Sequence, residues 1–242
     1  MAPEPALCRN WNNSIGMNSP IVESRYGVTL AGGAPFGAGL LALATRHAPE
    51  IIAADSGADR LLRLGAEPRA VFGDMDSITA EARRRLAGRL FPIPEQETTD
   101  FDKALRHIAA PFVLAVGFQG ARLDHGLAVL NTLTRYPDRR VLVLGRQDLA
   151  FLAPPQMRLT LRRGTRLSLF PMAPVRGESR GLRWPIAGLD FAPDGRIGTS
   201  NEVSAPEVHL SFDRAAMLVI LPVRQLPAVL KSLSLPSPVP GG

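Results

Sequence analysis

The chain has 242 residues, 45% hydrophobic and 21% charged, with a formal charge of +6. That is enough chain for one large domain or two modest ones with ordinary globular cores. No apolar run of about 18 residues is present, so no membrane-spanning helix is expected. The first residues also lack the basic-then-apolar pattern of a signal peptide. A single cysteine, Cys8, excludes internal disulfides and most zinc clusters and suits a reducing cytoplasm. Of the 28 basic residues 26 are arginine, scattered apart from short clusters such as Arg83-Arg84-Arg85. This balance could attract nucleic acid or a phosphorylated small molecule, or reflect a simple compositional bias, and the scatter makes a nucleic-acid patch a weak signal.

Residues 1–26 are polar and irregular and read as a flexible leader, with Met17 as a possible alternative start. Val28-Thr29-Leu30-Ala31 predicts a strand ending at Gly32-Gly33, and Gly37 to His47 has helical apolar spacing. Ile51-Ile52-Ala53-Ala54 predicts a strand capped by Asp55-Ser56-Gly57, followed by a helix from Ala58 to Leu64. Ala70-Val71-Phe72 predicts a strand ending at Gly73-Asp74, then a charged helix over Thr79 to Leu90. A short strand near Leu90 to Ile93, a helix over Asp100 to Ala110 and a strand over Phe112 to Val116 follow. Leu123 to Tyr136 reads as helix and Val141 to Leu144 as strand.

The strands are continuous apolar runs that alternate with helices, the pattern of a mostly parallel sheet with helices on both faces. In such sheets ligands sit at the carboxyl ends of the strands, where Asp55, Asp74 and Gly117 fall. After about Pro154 the texture becomes short strands separated by Gly and Pro turns. Those at 159–161, 166–170, 208–212 and 217–220 predict a C-terminal antiparallel β-sandwich. The expected organisation is a leader (1–26), an α/β domain (27–153), a β-sandwich domain (154–225) and a C-terminal tail (226–242).

Asp74 and Asp76 lie two apart just after a strand, so in extended backbone they point to one side. Two carboxylates at about 4 Å repel by up to ~4 kcal/mol at an effective dielectric near 20. A divalent cation or solvent must offset this, and hard oxygen donors beside substrate phosphates suit Mg²⁺. A solvated turn explains the same two residues. Thr99-Asp100-Phe101-Asp102 opens a helix, with Thr99 as N-cap and Asp102 in the capping-box position. Lys103 sits in the first turn, where the helix dipole disfavours a cation, and so suggests a nearby anion; an exposed lysine is the plainer reading. Asp55-Ser56-Gly57 resembles a strand-to-helix turn that presents N–H groups to an anion. Arg122 could clamp phosphate, and His125 is the best-placed histidine, although a structural pairing with Asp124 fits equally. No role is assigned to His47, His107 or His209. Trp184 beside a turn, with the later run Gly198-Thr199-Ser200-Asn201-Glu202, could stack and hydrogen-bond a flat polar ring; a core tryptophan is the alternative.

Taken in order, these segments resemble the thiamine pyrophosphokinase family. The matching stretches are Ala54-Asp55-Ser56-Gly57-Ala58-Asp59-Arg60, Gly73-Asp74-Met75-Asp76-Ser77, and Gln96-Glu97-Thr98-Thr99-Asp100 with Lys103. Gly120-Ala121-Arg122-Leu123-Asp124-His125, Leu182-Arg183-Trp184 and Gly198-Thr199-Ser200-Asn201-Glu202 complete the set. Departures fall at Ser56, Asp59, Met75, Glu97, Ala121 and Gly198. The resemblance implies pyrophosphate transfer from ATP to the thiamine hydroxyl with release of AMP, and a homodimer whose thiamine site is shared between subunits. It implies that Asp74, Asp76 and Asp100 are the catalytic acids and bind Mg²⁺. It places Asp55, Ser56, Gly57, Arg60, Lys103, Gly120, Arg122, Asp124 and His125 with the nucleotide, and Gln96, Trp184, Thr199, Ser200 and Asn201 with thiamine. Two rivals remain at the level of sequence: another Asp-x-Asp transferase that uses a nucleotide and Mg²⁺, and a non-enzymatic nucleotide- or RNA-binding module.

Overall fold

In the N-terminal half, short runs of apolar residues are buried along their whole length, which requires cover on both faces of a sheet. The computed structural model describes residues 20–120 and 122–236; Cys8, Met17 and Ala121 lie outside them. The chain divides into two units, one running to Gly117 and the other spanning Phe118–Leu235.

In the first unit the elements are β1 (Val22–Glu23), β2 (Val28–Ala31), α1 (Ala38–His47), β3 (Glu50–Ala54), α2 (Gly57–Arg63), β4 (Ala70–Gly73), α3 (Ala80–Arg85), β5 (Leu90–Pro92), α4 (Asp100–Arg106), β6 (Ile108–Ala109) and β7 (Val113–Val116). Five of the strands form a sheet in the order β7-β2-β3-β4-β5, with every pairing parallel. β2, β4 and β7 are buried at every residue. Thr29, the one polar residue of β2, is accommodated because its hydroxyl donates to the Ala48 carbonyl at 2.6 Å.

In the second unit come α5 (Leu123–Arg135), β8 (Val141–Leu144), β9 (Asp148–Leu152), β10 (Gln156–Thr160), β11 (Arg166–Pro171), β12 (Val175–Arg180), β13 (Leu189–Phe191), β14 (Gly198–Glu202), β15 (Glu207–Phe212), β16 (Met217–Pro222) and α6 (Leu226–Ser232). Two antiparallel layers form, β14-β11-β16-β9-β8 and β10-β15-β12-β13. β10 and β15 alternate buried and accessible residues, as strands with one wet face must. Leu159, Val208, Leu210, Leu167 and Leu169 are among the buried residues. The expected α/β-plus-sandwich class is the one observed.

Four details differ from the expectations. Val22–Glu23, inside the expected leader, pairs in parallel with Ile108–Ala109. That pairing ends α4 at Arg106, because residues extended in a ladder cannot continue a helix to Ala110. The expected tail contains α6, which starts with Pro at its first turn and buries Leu226, Val229 and Leu230. β9, inside the expected α/β domain, pairs in antiparallel fashion along its length with β16. Among the described residues no helix is long and apolar enough to cross a membrane.

Leu30 is fully buried in the central strand β2. Leu30→Ala is expected to lower the stability of the fold by about 2–5 kcal/mol, through lost burial and the cavity left behind. A shift of the urea midpoint at unchanged m-value checks this.

Candidate active site

Parallel neighbours bring their carboxyl ends side by side, about 4.8 Å apart. β3 and β4 pair through Ala54 and Phe72, so Asp55 and Asp74, the residues that follow, emerge together. The Asp55 N–H donates to the Phe72 carbonyl at 2.8 Å, and the Ile93 N–H donates to Gly73 at 2.7 Å. Asp55, Asp74 and Asp76 each offer a carboxylate oxygen, and these oxygens lie within 4.8 Å of one another. Asp100, the first residue of α4, stands beside them: its Oδ1 would lie 3.2 Å from a Cβ placed on Gly73, and the Cβ of Asp55 would lie 3.0 Å away. Gly73 has φ 149°, so a side chain there would be strained as well as crowded.

Lys103 explains why an amine sits in a helix's first turn. Its side chain is 2% exposed, and Nζ lies 3.5 Å from Asp74 Oδ2 and 3.3 Å from Asp100 Oδ1. The lysine is thus a buried counter-charge for the acids rather than a solvated surface residue. Thr99 caps α4 as expected, accepting from the Asp102 N–H; Asp102 is buried and pairs with Arg106 Nε at 3.4 Å.

The carboxylates do not titrate alike. Burial pushes the Asp55 carboxyl above its ordinary range, and the charges of Asp100, Asp76 and Asp74 add to this against a backbone hydrogen bond near Ser56. Burial also raises Asp100 and outweighs the lowering effect of Lys103. Burial pushes Asp74 up too, but hydrogen bonds from the Asp76 N–H and Gln96 together with the Lys103 ammonium hold it below its usual value. Asp55 Oδ1 is buried with no hydrogen-bond partner. A buried anionic oxygen left unpaired is costly, and a bound cation would satisfy it.

The backbone is strained at the same place. Asp55 (φ 42°) and Met75 (φ 68°) occupy the left-handed region, which residues with a Cβ seldom adopt. The Met75 carbonyl is held by the Arg83 guanidinium, and the Asp59 carboxylate accepts from the Thr79 hydroxyl and N–H, tying α2 to α3. Gln96 Nε2 donates to Asp74 Oδ2 at 3.2 Å. The Gln96 loop is closed by Glu95, which accepts from the Thr98 hydroxyl, the Glu97 and Thr98 N–H groups and Arg106. Sequence reasoning missed Arg83, Thr79 and Glu95 because their partners are distant in the chain or on unremarkable loop residues; the Asp59 departure was the only local signal.

Other expected site residues take definite places. Gly57 has no room for a Cβ against the Ala31 carbonyl oxygen, and Ser56 packs its hydroxyl over Gly33. Arg60 Nε donates to the Phe36 carbonyl at 3.2 Å, and its guanidinium lies 5.7 Å from the Phe36 ring. In the second unit Gly120 has φ 88°. Arg122 and Asp124 are exposed and form a two-contact pair, the shorter contact 2.6 Å; this hydrogen bonding raises the arginine and lowers the aspartate. His125 is exposed at the start of α5.

Trp184 is 54% exposed, so it is not a core tryptophan. The Arg183 guanidinium lies 4.9 Å from its ring centroid. Asn201 is buried; its Oδ1 accepts from the Trp184 and Glu202 N–H groups, and its Nδ2 donates to the Trp184 carbonyl at 2.7 Å. This amide clamps the backbone that presents the indole. Thr199 is exposed on β14, and Ser200 has φ 59° with its N–H on the Ser168 hydroxyl.

Fold and site define a two-module protein, in which an acidic centre lies at the ends of parallel strands and a β-sandwich presents an accessible indole. A family model described as "Thiamin pyrophosphokinase, catalytic domain" matches residues 41–144, and one described as "Thiamin pyrophosphokinase, vitamin B1 binding domain" matches residues 156–217. The chain belongs to the thiamin pyrophosphokinase family. It is 28% identical over 202 residues to thiamine pyrophosphokinase 1 of Arabidopsis thaliana, covering 69% of this chain and 76% of the relative. It is 29% identical over 215 residues to thiamine pyrophosphokinase 2 of Oryza sativa subsp. japonica, covering 74% and 80%. Its fold matches the crystal structure of yeast thiamin pyrophosphokinase with TM-score 0.71 at 16% identity, covering 89% of this chain and 95% of the other. It matches the enzyme from Geobacillus thermodenitrificans with TM-score 0.67 at 23% identity, covering 81% and 96%.

Glu95 is held at a pKa of about 2 against an ordinary 4.5: burial opposes this, and hydrogen bonds from Thr98, Arg106 and Glu97 prevail. Because its folded value is depressed, its stabilisation is complete above about 4.5 and is lost as pH falls toward 2. Glu95→Gln should therefore lower the melting temperature at neutral pH and flatten its decline across that window. Thermal unfolding monitored by circular dichroism at a series of pH values reads both effects.

Proposed function

We propose that this chain transfers the pyrophosphoryl group of ATP to the hydroxyl of thiamine, giving thiamine diphosphate and AMP. The observation that carries the reading is the acidic cluster of Asp55, Asp74 and Asp76 with the buried Lys103, in a chain that also matches the vitamin B1 binding module.

The donor set fits Mg²⁺: three hard oxygen ligands from two strand ends, one of them buried without a partner. Asp55, Asp74 and Asp76 would hold the ion, with Asp100 beside them. Bound there, it would neutralise charge on the phosphates. Lys103 supplies fixed positive charge, and Gln96 keeps Asp74 oriented. In the reaction the thiamine oxygen attacks the β-phosphorus, the bond from that phosphorus to the bridging oxygen breaks, and AMP leaves with that oxygen. Asp100 orients the attacking hydroxyl and takes its proton; its raised pKa makes it a better base than an ordinary carboxylate. Most of the catalysis is positioning and charge stabilisation.

The nucleotide is read as bound by the Asp55-Ser56-Gly57 turn, Arg60 and Lys103, with Gly120, Arg122, Asp124 and His125. Arg122 can turn to phosphate only by exchanging Asp124. Trp184 would stack on thiamine, with Thr199 and Ser200 nearby on the β14 side, and Asn201 sets the indole's backbone. The single cysteine of the chain suits the cytoplasm.

Asp74→Asn and Asp100→Asn are each expected to lower turnover by about 100-fold or more with the fold intact. AMP formation that depends on thiamine is the readout, with circular dichroism as the control. Near-normal turnover of either variant rejects the assignment.

The proposal extends to a homodimer with each thiamine site shared between subunits. Mixing Asp74→Asn with Trp184→Ala subunits, refolded together and assayed at limiting thiamine, should then restore about a quarter of wild-type activity. A mixed dimer would carry one site free of both substitutions. A site built within one subunit yields no recovery.

A further inference from the structure

The outer face of the four-stranded layer carries a row of basic side chains that the reaction does not use. Arg158 of β10 pairs in register with His209 of β15, and His209 pairs in register with Arg180 of β12. Residues in register on adjacent strands project to the same face, so guanidinium, imidazole and guanidinium form one line across three strands, about 10 Å from end to end. Both arginines are exposed and His209 is half-buried.

Like charges directly opposite each other on a sheet are destabilising, and a face that is merely solvated relieves them with interleaved acids. Here the relief is partial. Glu207 Oε2 lies 3.5 Å from His209 Nε2, and Glu178 stands one row away, in register with Ser211 and through it with Gln156. Among the described residues neither the Arg158 nor the Arg180 guanidinium has a carboxylate partner. The row lines an open depression of about 660 Å³, shared with Gln156, Glu178 and Ala187. That volume suits a small molecule. Two guanidiniums with a hydrogen-bonding ring between them match an anion with several charged oxygens, because guanidinium is weakly hydrated and pairs with phosphoryl oxygens in forked geometry.

We infer that Arg158, His209 and Arg180 form a second anion site, for a small ligand bearing two or more phosphoryl groups. The inference does not rest on the proposed reaction.

The chain has four histidines, so the imidazole Cε1–H signals can be followed individually by NMR, with His209→Gln identifying its own. Inorganic pyrophosphate is added to the full chain at low salt without divalent metal. The His209 signal is expected to shift saturably, and added NaCl should weaken the response. Arg158→Gln/Arg180→Gln should raise the midpoint about tenfold or more, from the loss of two charge-assisted contacts, with an unchanged melting temperature. Orthophosphate at equal concentration should bind more weakly if two phosphoryl groups are read. Absence of a saturable His209 shift, or a midpoint unmoved in the double variant, overturns the site. A changed sedimentation coefficient of the double variant with an unmoved midpoint also overturns it, and makes the row a subunit contact instead.

Discussion

Repulsion among the carboxylates at the ends of β3 and β4 is the constraint around which the first unit is arranged. Asp55, Asp74 and Asp76 share a space less than 5 Å across, with Asp100 adjoining. Two devices keep them there. Lys103 is buried between Asp74 and Asp100, where removing the amine would leave uncompensated charge. The backbone around them is locked, with Asp55 and Met75 in left-handed conformations secured by the parallel ladder, by Arg83 and by the Asp59–Thr79 pair. Strain and repulsion of this kind persist only where the surrounding fold over-determines the geometry.

The second unit applies the same logic with different chemistry. Exposing a tryptophan forfeits burial of a large apolar surface. Its backbone is nevertheless fixed by the Asn201 amide, which uses its acceptor and a donor on the segment bearing the indole. Ser200, next to that amide, is again left-handed. In both units, therefore, residues with a Cβ are held in glycine-like conformations at the positions where ligand contact is proposed. Their rigidity reduces the ordering that binding would otherwise require.

Much of this was legible in the chain. The apolar runs 28–31, 51–54, 70–73 and 113–116 read as strands covered on both faces, and Asp55 and Asp74 directly follow the second and third of them. The Thr99 cap could be read from spacing. What escaped was whatever depends on a partner far along the chain. Val22–Glu23 looks like leader until Ile108–Ala109 is seen beside it. The pairing of Asp148–Leu152 with β16 has no signal in the residues around it. α6 looks like tail because a single buried stripe of three apolar residues is a faint signal over seven positions.

The sequence by itself determined the class of fold, the alternation of strand and helix over residues 28–144 and the placing of acids at strand ends, because periodicity and turn chemistry act over a few residues. Only the tertiary structure decided which oxygens come together, that Lys103 is buried among them, that Trp184 faces outward, and that Arg158, His209 and Arg180 share a row. Those outcomes depend on strand order and register, which are set by packing between segments tens of residues apart and leave no local trace.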